Sequence, residues 1–191
     1  MSYLARELKP VFEKGIEPLV KLLFEVGVSP NTVTFLGLFF VAFGSYLLYL
    51  GERWLSFALL LLGALADAVD GALARRLGKN STFGAFLDSL LDRVSDALPF
   101  IAIALSSQDR FTSFMALLAL VFSYTVSYAR ARAEGLGYSM KVGLFERPER
   151  WIVLLVGIAF DMLFFAVSLL AFGSLFTTLQ RAYNLKKLSG G

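Results

Sequence analysis

The sequence predicts an all-α membrane protein: a bundle of six transmembrane helices preceded by an N-terminal amphipathic helix on the membrane interface. Three observations predict it. Hydrophobic residues make up 57% of the 191 and charged residues 17%, far more apolar surface than a soluble domain of this size buries. Apolar stretches recur at Val33 to Leu50, Trp54 to Ala66, Ala97 to Leu105, Phe114 to Val126, Trp151 to Phe160 and Met162 to Phe176, where about 20 residues of helix span a bilayer core. Lys and Arg are distributed unevenly across the expected membrane. Four (Arg6, Lys9, Lys14, Lys21) precede the first span, three (Arg75, Arg76, Lys79) follow the second, five (Arg130, Arg132, Lys141, Arg147, Arg150) follow the fourth, and three (Arg181, Lys186, Lys187) lie at or beyond the end of the sixth. Only Arg53 and Arg110 fall in the opposite connections. The positive-inside rule therefore predicts a multi-pass protein of the cell membrane with both termini in the cytoplasm.

A single domain is expected across 1–191, with 1–28 as the juxtamembrane helix and 31–187 as the bundle. Leu4, Leu8, Val11, Phe12, Ile16, Leu19, Val20 and Leu23 recur at helical spacing with charges between them, the pattern of a surface-lying amphipathic helix. Pro30 and Asn31 turn the chain into the first span. The second span begins near Arg53 and continues through Asp67 and Asp70 to Gly78, about 26 residues or roughly 39 Å, so its acidic end projects to the cytoplasmic side. Lys79-Asn80-Ser81-Thr82 reads as a polar turn in which Ser81 or Thr82 caps the third helix, Phe83 to Ser106. So short a turn makes the two helices antiparallel neighbours. The fourth span covers Arg110 to Ala133. Glu134 to Glu149 is a cytoplasmic loop with Gly135, Gly137 and Gly143 at its turns, followed by a helix from Arg147 to Phe160, a reversal at Asp161, and a last helix to Lys187.

Composition removes several function classes. Cysteine and histidine are both absent, which excludes disulfides, thiolate metal sites and the commonest general base. Net charge is only +3 and no aromatic-interleaved basic module is present, so nucleic acid is not an expected partner. Glu7, Glu13, Glu17 and Glu25 precede the first apolar run, unlike a signal peptide, and no cleaved leader is expected.

Five of the seven aspartates, Asp67, Asp70, Asp88, Asp92 and Asp96, lie within 30 residues in two otherwise apolar helices. Together they would oppose insertion by on the order of 10 kcal/mol unless they sit near the interface, face a wet cavity or bind cations. Asp67, Asp70, Gly71 and Ala74 stand at i, i+3, i+4 and i+7; Gly84, Asp88 and Asp92 stand at i, i+4 and i+8, so each set forms one helix face. Four carboxylates converging between the two helices make an all-oxygen pocket suited to hard divalent cations, Mg²⁺ or Mn²⁺. Gly71, Ala74 and Gly84 keep those faces low. Either they give a bulky ligand access to the metal, or they permit close helix contact as small residues do in membranes. Asp96 continues the Asp88 and Asp92 face one turn deeper and reads as a structural polar group, with Arg93 as a compensating charge on the same helix.

The run Asp67-x-x-Asp70-Gly71-x-x-Ala74-Arg75, eight residues, then Gly84-x-x-x-Asp88-x-x-x-Asp92 resembles the signature of the CDP-alcohol phosphotransferases at all eight fixed positions over 26 residues. The resemblance implies a membrane enzyme that displaces CMP from a CDP-linked lipid by attack of an acceptor hydroxyl. It implies that Asp67, Asp70 and Asp88 hold the metals, a pair of ions, with Asp92 completing the second site and acting as general base. It further implies that Asp67, Gly71, Ala74, Arg75 and Gly84 bind the CDP-lipid, and that the protein is a homodimer. Elementary chemistry agrees: phosphoryl transfer depends on positioning and charge neutralisation, and Arg75 can pair with phosphate.

A second constellation, Ser127, Arg130, Arg132, Arg147, Arg150 and Arg181, lies at the ends of the later spans. Arginines there often only reach toward headgroups, but guanidinium forks also bind phosphate bidentately. Ser127-Tyr128-Ala129-Arg130-Ala131-Arg132-Ala133-Glu134-Gly135-Leu136-Gly137, Gly143-Leu144-Phe145-Glu146-Arg147-Pro148-Glu149-Arg150 and Gln180-Arg181 resemble the phosphatidylinositol-phosphate synthase branch, whose acceptor is inositol 1-phosphate. That resemblance makes Ser127, Arg130, Arg147 and Arg181 the candidate acceptor-phosphate ligands. Arginine at 130, where the bacterial enzymes of the branch carry lysine, is similar to the archaeal archaetidylinositol-phosphate synthases, so CDP-diacylglycerol and CDP-archaeol both remain candidate donors. Competing readings are the same chemistry on glycerol 3-phosphate, serine or another inositol derivative, a divalent-cation transporter, and a purely structural bundle.

Overall fold

The computed structural model describes residues 3–78 and 82–190, with side chains described from Glu13 onward. Among the described residues are seven helices and no strand: α1 (Tyr3–Glu25), α2 (Pro30–Tyr49), α3 (Arg53–Leu77), α4 (Thr82–Ser106), α5 (Arg110–Gly135), α6 (Arg147–Ala159) and α7 (Leu163–Leu188). The expected turn residues Lys79, Asn80 and Ser81 lie outside the described residues, as do the side chains of Leu4, Leu8, Val11 and Phe12.

Four helices, α2, α3, α5 and α7, are long and apolar enough to cross a membrane. α4 has 25 residues, but Asp88, Asp92, Arg93 and Asp96 interrupt its apolar character. α6 has 13 residues, about 20 Å of helix, which is short of the roughly 30 Å hydrocarbon core.

Helix ends differ from expectation in three places. The chain enters α2 one step earlier than Asn31: Ser29 is the N-cap, its hydroxyl accepts the Thr32 amide at 3.1 Å, and Pro30 follows as the first helical residue. Proline suits that position because its fixed φ is already helical and its missing N–H would have had no partner there. Gly135, expected in the loop, is the last residue of α5. The reversal occurs at Gly137 (φ +86), where the Tyr138 amide returns to the Ala133 carbonyl and the Gly137 amide to Glu134, the αL stop that satisfies terminal carbonyls. α6 ends the same way with Asp161 (φ +59) in the αL position and the Met162 amide bonded to Gly157. Asp109 caps α5, its carboxylate accepting the amides of Phe111 and Thr112. Thr82 is the first residue of α4 rather than a residue before it.

The chain forms two compact units, Glu7–Ala102 and Met1–Arg6 together with Ile103–Gly191, so one boundary falls inside α4 after Ala102. In the unit Glu7–Ala102, α2 packs against α3 through small residues. A methyl added at Gly63 would stand 2.4 Å from Val41 Cγ2 and 3.1 Å from the Gly37 carbonyl, and one at Gly37 would stand 3.0 Å from Ala66 Cβ. Val20 and the partly buried Ile16 and Leu23 of α1 pack with Val33 of α2 and Val69 and Leu73 of α3, while Leu19, Leu22 and Phe24 stay exposed. In the unit Ile103–Gly191, α7 packs against both α5 and α6, and the Thr125 and Thr178 hydroxyls join α5 to α7 at 3.0 Å.

Candidate active site

Asp67 and Asp70 project from α3 and Asp88 from α4, and one carboxylate oxygen of each lies within 4.8 Å of the others. Their spacing of three residues puts the α3 pair on one face, and the close packing of α2 along α3 buries Asp70. Asp70 Oδ2 is buried without a hydrogen-bond partner, while Thr34 of α2 approaches the same carboxylate. An unsatisfied buried oxygen costs about 1–3 kcal/mol, more when charged, and neighbouring carboxylates repel. A cation at their meeting point removes both costs, and an all-oxygen donor set fits a hard divalent ion. The residues therefore fit a divalent metal.

Three of the four expected ligands are thus brought together. Asp92 is not part of that cluster; it lies two turns along α4 from Gly84, with Arg93 Nη1 3.5 Å from its Oδ2. Arg93 also donates to the Ser89 carbonyl at 2.8 Å. Asp96 is buried.

Gly71 follows Asp70 on α3. A methyl there would meet only Arg75 Nη1, at 3.4 Å, on its own helix. Among the described residues no neighbouring helix presses on it. Ala74 and Gly84 are half-buried. Arg75 is exposed, and its Nη2 lies 2.8 Å from Glu13 Oε1 of α1.

The candidate acceptor residues lie in the other unit. Arg181 of α7 is 3% exposed; its Nε donates to the Val142 carbonyl at 2.8 Å and its Nη1 to the Val126 carbonyl at 2.6 Å, with Glu146 Oε1 3.6 Å from Nη2. Arg130 and Arg150 lie close enough to act electrostatically on that guanidinium. Arg130 Nε is bonded to Glu134 at 2.9 Å, and both side chains are about half exposed. Arg150 is buried and donates to the Phe145 carbonyl at 3.3 Å. Ser127, half-buried, follows Val126 directly, and Arg147 is the first residue of α6.

Sequence reasoning did not single out Glu13, Thr177 or Gly173, or assign a role to Glu146. Thr177 is fully buried and accepts the Phe145 amide at 3.0 Å. Its one signal in the sequence is the polar series Ser174, Thr177, Gln180, Arg181 in an otherwise apolar span.

Known proteins resemble this chain in sequence and fold. Residues 27–180 match the family model described as CDP-alcohol phosphatidyltransferase. The archaetidylinositol phosphate synthase of Pyrococcus horikoshii is 40% identical over 182 residues, covering 95% of this chain and 96% of its own. The crystal structure of Mycobacterium tuberculosis phosphatidylinositol phosphate synthase with CDP-DAG bound matches at a TM-score of 0.80 and 33% identity, over 88% of this chain and 92% of that one. The same enzyme in complex with manganese and citrate matches at 0.80 and 33%, over 88% and 87%. With three signature aspartates gathered at one point and the greater part of its length inside the family pattern, the chain belongs to the CDP-alcohol phosphatidyltransferase family.

Proposed function

We propose that this membrane protein transfers a phosphatidyl or archaetidyl group from CDP-diacylglycerol or CDP-archaeol to inositol 1-phosphate, releasing CMP and forming an inositol-phosphate phospholipid. The observation that carries the reading is the meeting of Asp67, Asp70 and Asp88, the signature carboxylates, beside an open Gly71. The names of the Pyrococcus and Mycobacterium relatives support the donor and acceptor.

In this reading Asp67, Asp70 and Asp88 hold Mg²⁺ or Mn²⁺, with Asp92 completing a second metal position. When bound, the ions supply positive charge to the pyrophosphate and to the departing CMP. Gly71, Ala74 and Gly84 leave room for the cytidine diphosphate, and Arg75 pairs with its phosphate. Asp92 takes the proton from the acceptor hydroxyl as that oxygen bonds to the lipid-bearing phosphorus and the bond from phosphorus to CMP breaks. Ser127, Arg130, Arg147 and Arg181 hold the phosphate of the acceptor. The whole chain acts as one domain: six spans in a multi-pass protein of the cell membrane, α1 along the interface, both termini and the active site cytoplasmic, and two copies in a homodimer.

The deciding experiment supplies purified protein with radiolabelled CDP-lipid, Mg²⁺ or Mn²⁺ and one acceptor at a time. CMP release with inositol 1-phosphate, abolished by chelation, is expected; release only with glycerol 3-phosphate, serine or free inositol overturns the acceptor. Divalent-cation flux into proteoliposomes without CMP release with any acceptor replaces the enzyme by a transporter. Because the native chain has no cysteine, single introduced cysteines report sidedness without background. Labelling of position 80 from outside the cell would overturn the topology.

A further inference from the structure

We propose that Thr177 is a positioning residue for acceptor binding: through the Phe145 amide it holds the segment from Val142 to Glu146 in register on α7, and so sets where Arg147 is presented.

Three positions one turn apart on α7 receive this segment. Gly173 leaves a space that the Phe145 ring fills, since a methyl at 173 would stand 2.7 Å from that ring. Thr177 Oγ1 accepts the Phe145 N–H at 3.0 Å and donates to the Gly173 carbonyl at 2.9 Å. Arg181 Nε donates to the Val142 carbonyl at 2.8 Å. From the other side, Gly143 takes φ +151 and lies so close that a methyl there would stand 2.8 Å from Thr177 Cγ2. Glu146, where the segment ends, is the residue before Arg147 and the N-cap of α6.

The consequence follows from chain geometry. A segment without helical hydrogen bonds is held in place by contacts like these. The Phe145 amide is paired by one side chain in the middle of the segment, while Arg150 takes the Phe145 carbonyl. Removing the Thr177 oxygen leaves the Phe145 amide and the Gly173 carbonyl partner changed in the interior, and the segment shifts to satisfy the amide. Arg147 begins α6 at the end of that segment, so the shift moves it without altering the aspartate helices' sequence.

The proposal rests on Arg147 and its neighbours being the acceptor site, so its test has one readout in turnover and one in the segment itself. Thr177→Val keeps the shape and removes both hydrogen bonds. It should raise KM for inositol 1-phosphate about tenfold, the effect of losing a hydrogen bond that orders a binding segment. KM for the CDP-lipid and kcat should stay within about twofold. Thr177→Ser should restore KM. Deuterium exchange of the peptide containing Phe145 should speed up in Thr177→Val and return to the wild-type rate in Thr177→Ser. Faster exchange with an unchanged KM overturns the positioning role, as does an equal rise in KM for both substrates, a loss confined to kcat, or unchanged exchange. If Thr177→Val does not fold, Thr177→Ala removes the same two hydrogen bonds with a smaller side chain and must give the same pattern. A wild-type protein that shows protected Phe145 but no turnover with inositol 1-phosphate overturns the acceptor reading and this proposal's link to it, leaving the clamp measured on its own.

Discussion

Arg75 Nη2 stands 2.8 Å from Glu13 Oε1, an ion pair that ties the site-bearing end of α3 to α1. Both side chains are about half exposed, so the pair contributes about 0–1 kcal/mol to stability. Its effect is orientation: with Nη2 held, Nη1 lies over Gly71. Glu13→Ala should therefore raise KM for the CDP-lipid about two- to fivefold, the range of an exposed ion pair, and leave the melting temperature in detergent unchanged. A lower KM would mean that Glu13 competes with the substrate for Arg75 instead of aiming it.

Gly63 and Gly71 stand eight residues apart on α3 and should answer an added methyl in opposite ways. Gly63→Ala places a methyl 2.4 Å from Val41 Cγ2 and should destabilise the protein by about 1–3 kcal/mol through overpacking. Gly71→Ala meets only Arg75 Nη1 and gains helix propensity, so stability should hold or rise by up to about 1 kcal/mol. Its loss should be in CDP-lipid turnover. Thermal melts beside initial rates separate the two.

Asp70→Asn removes one of three mutually repelling carboxylates. Without metal the variant should melt at or above the wild-type temperature. Mn²⁺ should raise the wild-type melting temperature by mass action, by about 2.7 kcal/mol at a hundredfold excess over Kd, and leave the variant's unchanged, with turnover lost. A full Mn²⁺ shift in Asp70→Asn would remove Asp70 from the metal site.

Asp109 ties pH to stability at the start of α5. The Thr112 hydroxyl, then the Thr112 and Phe111 amides, hold its carboxyl below the usual carboxylate range. A carboxyl depressed in the folded state stabilises fully above its unfolded pKa of about 3.9, and that contribution disappears as pH falls through the folded value. Asp109→Ala should thus melt below wild type at pH 7, and the two should converge as pH drops below about 4. A gap that persists in acid would point to packing instead of the cap.

How much could be read in advance varies with how local the cause is. The ends of α3, α5 and α7 lie within about two residues of expectation, because apolar runs and helix stops act over one or two turns. Asn31 gave way to Ser29 because proline fixes its own place at the first helical position. The α5 end moved past Ala133 because the stop is Gly137, the residue that takes the left-handed turn. Among the described residues four of the six apolar stretches lie in helices long and apolar enough by length and composition to cross a membrane; for α4 and α6 the crossing turns on how charge and length combine, which apolar runs do not report.

Spacing along a helix alone determined that Asp67 and Asp70 share a face, and the signature alone pointed to CDP-alcohol chemistry. Tertiary structure decided the rest: that Asp88 joins them while Asp92 does not, that Gly71 is open while Gly63 is pressed against Val41, and that Arg181 reaches carbonyls 39 and 55 residues away. The physical reason is range. A helix repeats every 3.6 residues whatever surrounds it, but which side chain meets which across two helices depends on how their surfaces pack, and no short window of sequence records that.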